Sequence, residues 1–191
     1  MKQYLDICKK TKRLEVRPVR IDDYSRWIGG FTNQKPKQNR FDEGPFDFIN
    51  LTEEWLEKRI EERKQFAAKD EMYKFGVFRC LDSAYIGFCV IATHMRDDFQ
   101  YASVGYSILN QYWGNGYGAE SLKTLIQIGF TDLDFHRLEA HINTDNLVSK
   151  RVALKAGMKF ECVRKGFIFE DGEWTDNDIY FINNQFKNYT E

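Results

Sequence analysis

Residues 110–122 read NQYWGNGYGAESL, with glycines at 114, 116 and 118. Glycine loses more conformational freedom on folding than any other residue, so three on alternate positions are retained only where bare backbone is needed. The stretch Gln100 to Leu109 before them is rich in strand-forming residues. After them, from about Gly116 to Phe130, apolar residues recur at helical spacing through Leu122, Leu125, Ile126 and Phe130. A strand, a glycine loop and a helix start in that order bring unpaired N–H groups and the positive helix end together. Such a joint grips an anion, above all a diphosphate, and the competing reading is a turn that only reverses the chain.

Two nucleotide-binding patterns compete for the loop. A Walker loop ends in Gly-Lys-Ser/Thr, and this one continues Tyr117-Gly118-Ala119-Glu120, with no lysine for outer phosphates. Gly114, Gly116 and Ala119 fit the G-x-G-x-x-A dinucleotide fingerprint, with Asp134 downstream in place of its acidic residue. In that fold the strand runs straight into the first glycine, whereas Asn110 to Trp113 intervene here. A nicotinamide-dependent oxidoreductase is therefore kept only as an alternative.

Elsewhere the pattern mixes helices and strands. Arg13 to Val19 alternates as a strand, and Asp22 and Asp23 precede a short helix around Trp27. Gly29 to Asn50 has no steady period and reads as a long binding loop or lid. Thr52 caps a helix reaching about Ala68, with Leu51 and Leu56 placed as a staple and Trp55, Ile60 and Phe66 inward. Strands follow at 73–80, 85–94 and 137–143. Asn146 caps a helix through Ala156, stopped by Gly157 in a left-handed C′ position. Met158 to Phe169 and Glu173 to Ile182 form a hairpin around Asp171-Gly172, a type I′ pair. The class is α+β, one domain over 13–185 between a polar tail at 1–12 and a C-terminal tail at 186–191.

Composition narrows the partners. Lys and Arg number 28 against 29 Asp and Glu, a net charge of -1 that gives no electrostatic footprint for nucleic acid or anionic membrane. Cys8, Cys80, Cys89 and Cys162 have no CxxC spacing, and His94, His136 and His141 lack the i, i+4 spacing of helical metal ligands, so no metal site is expected. The first residues carry no apolar signal core, and the longest apolar run, Ile86 to Ala92, is too short to span a bilayer. A reduced, cytoplasmic protein, monomeric or homodimeric, is the expectation.

Residues 143–163, NTDNLVSKRVALKAGMKFECV, join the glycine loop in a fixed order: Asn146, Ser149, Lys155-Ala156-Gly157, then a strand. With "YWGNGYGAESL", RLEVRP at Arg13 and GEWTDNDIYFI at Gly172 to Ile182, this closely resembles the GNAT acetyltransferases. The likeness is greatest to the branch containing the ribosomal-protein-alanine N-acetyltransferases. The resemblance implies the acyl-CoA N-acyltransferase fold, a mixed and mostly antiparallel sheet flanked by helices, with two parallel central strands splayed apart. It implies acetyl-CoA in the gap, its pantetheine arm along Ile108 and Leu109 and its diphosphate over Trp113, Gly114, Asn115, Gly116, Tyr117, Gly118 and Ala119. Trp113 replaces the Arg or Gln usual at the head of the family's R/Q-x-x-G-x-G/A motif.

Moving acetyl to an amine needs an unprotonated amine, a stabilised oxyanion and a thiolate able to leave. Asn146 and Ser149 match family positions that bind CoA near its sulfur, with Ser149 as hydrogen-bond donor or general acid; a helix-start serine that satisfies only backbone is the alternative. A backbone N–H near Ile108 is the candidate oxyanion donor. Many relatives read A-E-I-G-Y before the loop, and this chain reads Ala102-Ser103-Val104-Gly105-Tyr106, so the acid is missing. Candidate bases are then Ser103 through a water, His94, Glu139 or Glu170. An α-amine, with a pKa near 8, needs none. A non-catalytic CoA-binding sensor on the same fold is the alternative that the missing acid raises. Acidic stretches at Phe41 to Asp47 and Glu170 to Glu173 are placed to attract a cationic amine acceptor.

Overall fold

Alternation sets the strands. In Arg137–Asn143 the side chains of Leu138, Ala140 and Ile142 turn to one face and are buried in the main core, while Glu139 and His141 take the other. The computed structural model describes residues 2–45 and 51–185; the tail at 186–191 and the Phe46-Asp47 end of the first acidic stretch lie outside them. Its strands are β1 (Lys9–Lys10), β2 (Leu14–Arg17), β3 (Met72–Arg79), β4 (Tyr85–Met95), β5 (Tyr101–Ile108), β6 (Arg137–Asn143), β7 (Lys159–Glu170) and β8 (Glu173–Asn183). Its helices are α1 (Tyr24–Thr32), α2 (Glu53–Ala68), α3 (Tyr117–Thr131) and α4 (Leu147–Lys155).

All eight strands join one sheet in the order β1-β2-β3-β4-β5-β6-β8-β7. Every neighbouring pair is antiparallel except β5 and β6. That parallel pairing runs only from Tyr101↔Arg137 to Ser103↔Glu139. Beyond it β5 continues to Ile108 and β6 to Asn143 with the strands apart, so the expected central splay is present. The class is α+β.

One core packs α3 on the sheet through residues such as Phe75, Ile91, Leu125, Ile128 and Leu138. A second gathers Trp27 of α1 and Leu56 of α2 against Phe78, Tyr85 and Leu109. Leu51 and Leu56 are both buried there, and the Thr52 hydroxyl accepts from the Trp55 N–H at 3.1 Å, so the expected cap and staple are in place. Phe66 differs: it is 41% exposed at the end of α2.

Two segments are more ordered than the sequence pattern implies. Residues 2–10, read as a polar tail, belong to the domain: Ile7 is fully buried, Tyr4 packs on Phe75, and β1 pairs with β2. Only Tyr4 and Ile7 carry this among charges, too few for a period to emerge. The supposed loop from Gly29 instead begins as the last turn of α1, which runs through Gly29 and Gly30 to Thr32. A Cβ on Gly30 would stand 2.6 Å from the Tyr85 carbonyl oxygen, so glycine is what lets α1 rest directly on β4.

Between β2 and α1 lies a buried ion pair. Arg17 donates from Nη1 to Asp23 Oδ2 at 2.6 Å and from Nη2 to Oδ1 at 2.8 Å, with its guanidinium 4.1 Å from the centre of the Phe78 ring. Asp23 also accepts from the Arg20 N–H at 2.8 Å. At the far side, β7 forms the outer edge of the sheet. Its hairpin with β8 turns at Asp171 (φ +51°) and Gly172 (φ +89°), the positive pair that a type I′ turn requires. The pairing shifts register between Phe160 and Cys162 and again between Arg164 and Ile168. Among the described residues no helix is long and apolar enough to cross a membrane, and the four cysteines are unbridged.

Candidate active site

The glycine loop begins where β5 ends. A single 3-10 turn, Asn110–Tyr112, separates them, and α3 opens at Tyr117. Gly114 and Gly116 hold φ of +82° and +78°, the left-handed region that side chains disfavour. Gly116 is the N-cap of α3 and brings no side chain to it. The first helical bond runs from the Glu120 N–H to the Gly116 carbonyl at 3.2 Å. The N–H groups of Tyr117, Gly118 and Ala119 therefore have no acceptor within the helix, and they form an uncapped, positive mouth. Gly118 serves packing as well, since a Cβ there would lie 2.9 Å from the Tyr106 ring.

Arg13, which sequence reasoning treated only as the start of a strand, braces this mouth. It donates from Nε to Glu120 Oε2 at 2.7 Å and from Nη1 to the Asn115 carbonyl at 3.0 Å, and it lies over the Tyr117 ring. Thr11 donates to the other Glu120 oxygen. A carboxylate in the first turn of α3 would repel an anion; paired with Arg13 it does so far less. Asn115 closes the loop through Nδ2 bonds to the carbonyls of Tyr112 and Trp113, at 3.0 and 3.1 Å. The dinucleotide fingerprint fails here: the strand does not run into Gly114, the sheet is mostly antiparallel, and Asp134 sits in the turn before β6 with φ +64°.

Below the loop the splay forms a cleft of about 120 Å³ lined by Val104, Tyr106, His141, Asn143, Asn146 and Ser149, among others. The Leu109 N–H is bonded to the Ile86 carbonyl on β4 at 2.9 Å. By alternation the backbone polar groups of Val104, Tyr106 and Ile108 face the gap instead. Trp113 is 41% exposed, and its indole N–H donates to the Ile108 carbonyl at 2.5 Å. The open strand edge thus offers Val104, Tyr106 and the Ile108 N–H, while the Leu109 N–H is taken by β4 and Leu109 is buried in the second core. The Asn146 side chain caps α4 by accepting from the Ser149 N–H at 3.1 Å, which leaves the Ser149 hydroxyl free of the cap. Both that hydroxyl and the Tyr106 phenol, a second proton donor that sequence reasoning missed, belong to residues lining the cleft. Burial pushes the phenol up, and Ser149 pulls it partly back.

The four candidate bases separate clearly. Ser103 sits opposite Glu139 where the strands are still paired, outside the cleft lining. His94 is exposed at a bulge of β4 and stacks behind His141, with ring centres 6.0 Å apart. Burial, helped by His141, lowers its pKa against the opposing pull of Glu139. Glu139 is buried and saturated: it accepts from the Tyr101 hydroxyl at 2.7 Å, Arg137 Nε at 2.8 Å and His141 Nε2 at 3.0 Å, with Arg164 at 3.3 Å. Burial alone would raise its pKa, but the bonds from His141, Tyr101 and Arg137 outweigh it, and the value falls to about 2. A carboxyl so acidic is a poor proton acceptor. Glu170 is occupied too, accepting from Asn143 Nδ2 at 2.6 Å and the Thr175 hydroxyl at 3.1 Å.

Because folding depresses the pKa of Glu139 from 4.5 to about 2, its contribution to stability is present above pH 4.5 and is lost as pH falls through that interval. Urea titrations at stepped pH are expected to show a shallower acid slope for Glu139→Gln than for the wild type over this window. Equal slopes would mean that the carboxylate is not held this way. Asp42, in the first acidic stretch, likewise braces structure: it is buried and accepts from Asn110 Nδ2 at 3.0 Å and the Gln38 N–H at 2.9 Å. Among the described residues no group of His, Cys, Asp and Glu is gathered to hold a metal.

A parallel pair that opens beside an uncapped helix mouth, over a cleft with two hydroxyl donors, fits the acyl-transfer class that the sequence resemblance implies. The chain belongs to the GNAT acetyltransferase family, and residues 13–159 match the model described as "Acetyltransferase (GNAT) domain". It is 31% identical over 179 residues to "Probable N-acetyltransferase YjcK" of Bacillus subtilis (strain 168), covering 92% of this chain and 96% of the relative. It is 26% identical over 113 residues, 59% of this chain and 58% of the relative, to the [Ribosomal protein uS5]-alanine N-acetyltransferase of Escherichia coli (strain K12). The fold matches that of Mycobacterium smegmatis RimJ in complex with CoA-disulfide, with TM-score 0.76 at 20% identity over 96% of this chain and 90% of that one. The protein is an N-acetyltransferase that moves acetyl to an amine, and the nicotinamide reading is withdrawn.

Proposed function

We propose that this chain takes acetyl-CoA as its donor, held with the diphosphate against the N–H groups of Tyr117, Gly118 and Ala119. The observation that carries this is the uncapped start of α3 beside a splay that begins after Ser103↔Glu139. Bound there, the thioester supplies the activated acetyl group. The open edge at Val104 and Tyr106 pairs with the amides of the pantetheine arm, and a gap-facing N–H of β5 receives the oxyanion. Ser149, with Tyr106 beside it, gives a proton to the departing sulfur. The acceptor is a primary amine, a protein N-terminal α-amine or that of a small molecule, entering from the face that carries His141 and Asn143.

The test is an acetyl-CoA-dependent mass gain of one acetyl group, screened across peptides with free N-termini, polyamines and amino acids. At least one class is expected to gain it with matching CoA release. Tight CoA binding with no acceptor modified would favour the sensor reading, and no binding at millimolar acetyl-CoA would end the donor assignment.

A further inference from the structure

We infer that His141, oriented by Glu139, is the proton acceptor that readies the amine. This rests on the acetyl-transfer reading of the site. Glu139 and His141 are two apart on β6, so both side chains stand on one face, away from α3. The splay opens just after Glu139, so the next residue on that face, His141, lines the cleft together with Ser149. Glu139 is ionised and accepts only, hence His141 donates its Nε2–H across the 3.0 Å contact. That fixes the tautomer and leaves Nδ1 to take a proton, the relation an orienting carboxylate has to a catalytic histidine in hydrolytic triads.

The surroundings hold the ring in place. Phe167 of β7 meets it edge-on at 5.1 Å and His94 of β4 stacks at 6.0 Å. The titratable and charged groups facing the pair are Tyr101 of β5, His94 of β4, Arg137 of β6 and Arg164 of β7; Ile179 of β8 lies opposite in register, and α4 contributes Ser149 to the shared cleft. Arg137 and Arg164 balance the Glu139 charge, so the carboxylate stays ionised through the cycle while the ring gains and loses its proton.

His141 takes one proton from the entering ammonium, and the freed nitrogen pair bonds to the acetyl carbon. The carbon–sulfur bond breaks with its electron pair on sulfur, and Ser149 relays a proton there. The second N–H proton leaves as the amide forms and replaces the one given to sulfur. His141 returns its proton to solvent, so the products are amide, thiol and one proton.

The test uses the full-length protein and the acceptor from the panel above with the largest kcat/KM. His141→Gln is expected to lower kcat/KM about tenfold to thirtyfold at pH 7 and to remove the ascending limb that proton uptake by the ring gives the pH profile, with CoA affinity unchanged. Activity should return as pH rises past the pKa of the amine itself. Glu139→Gln is expected to displace the limb rather than abolish it, because it acts through the ring, whereas His94→Gln should keep the limb. Nitrogen-15 imidazole spectra should show the Nε2–H tautomer in the wild type and its loss in Glu139→Gln. A wild-type limb and rate retained in His141→Gln would overturn this inference and leave the acetyl-transfer reading intact. A wild type silent on every acceptor would overturn both.

Discussion

Gly116→Asp is expected to weaken CoA binding about a hundredfold, roughly 2.7 kcal/mol. The position is the N-cap of α3 at φ +78°, with three N–H groups directed outward just beyond it. Aspartate tolerates left-handed backbone better than most residues, so the fold should survive. Its carboxylate would bond to the N–H groups that a diphosphate needs and place a like charge a few ångströms from it. At an effective dielectric near 20, one such pair at about 5 Å costs about 3 kcal/mol. Gly116→Asn supplies the same shape without the charge and should cost less than tenfold. Calorimetric titration with CoA separates the two; equal affinities for Asp and Asn would place the diphosphate elsewhere.

The second large effect concerns stability. Asp23→Ala leaves Arg17 charged, with only 8% of its side chain exposed, against Phe78. Removing one member of a buried pair typically costs about 3–5 kcal/mol, and Arg17 would keep only its longer contact with Glu15, at 3.5 Å. At this chain length that lowers the melting temperature by about 10 °C. Burial by itself would raise the Asp23 pKa, but the bonds from Arg17 and Arg20 hold it below the ordinary 3.8. Its contribution is therefore complete above that value and disappears as pH falls below it. Replacing both partners, Arg17→Met with Asp23→Leu, should recover part of the loss. An Asp23→Ala protein within 1 kcal/mol of the wild type in urea would show that the pair is not what ties β2 to α1.

Strand and helix positions were legible wherever one face of an element is buried, as in β6, because burial imposes the period. The glycine loop was legible because bare backbone is rare enough to need a cause. What escaped were residues whose role depends on a distant partner. Arg13 reads as one of many surface cations until Glu120, far along the chain, is seen beside it. Gly30 reads as a breaker, since nothing local shows that the Tyr85 carbonyl lies where its Cβ would go. Glu139 read as a candidate base and His141 only as a histidine without metal spacing, because only the opening of β5 from β6 puts one under the sheet hydrogen bonds and the other in the cleft.

The free margin of the sheet has a bearing on solubility at high concentration. An outermost strand as long as Lys159–Glu170 offers a template on which a neighbouring molecule's strand can add, and then another. Here two register shifts break that template into short runs, and Gly166 between Lys165 and Phe167 adopts φ +52°. Stacking of copies into a continuous ribbon is therefore opposed by the shape of the strand itself.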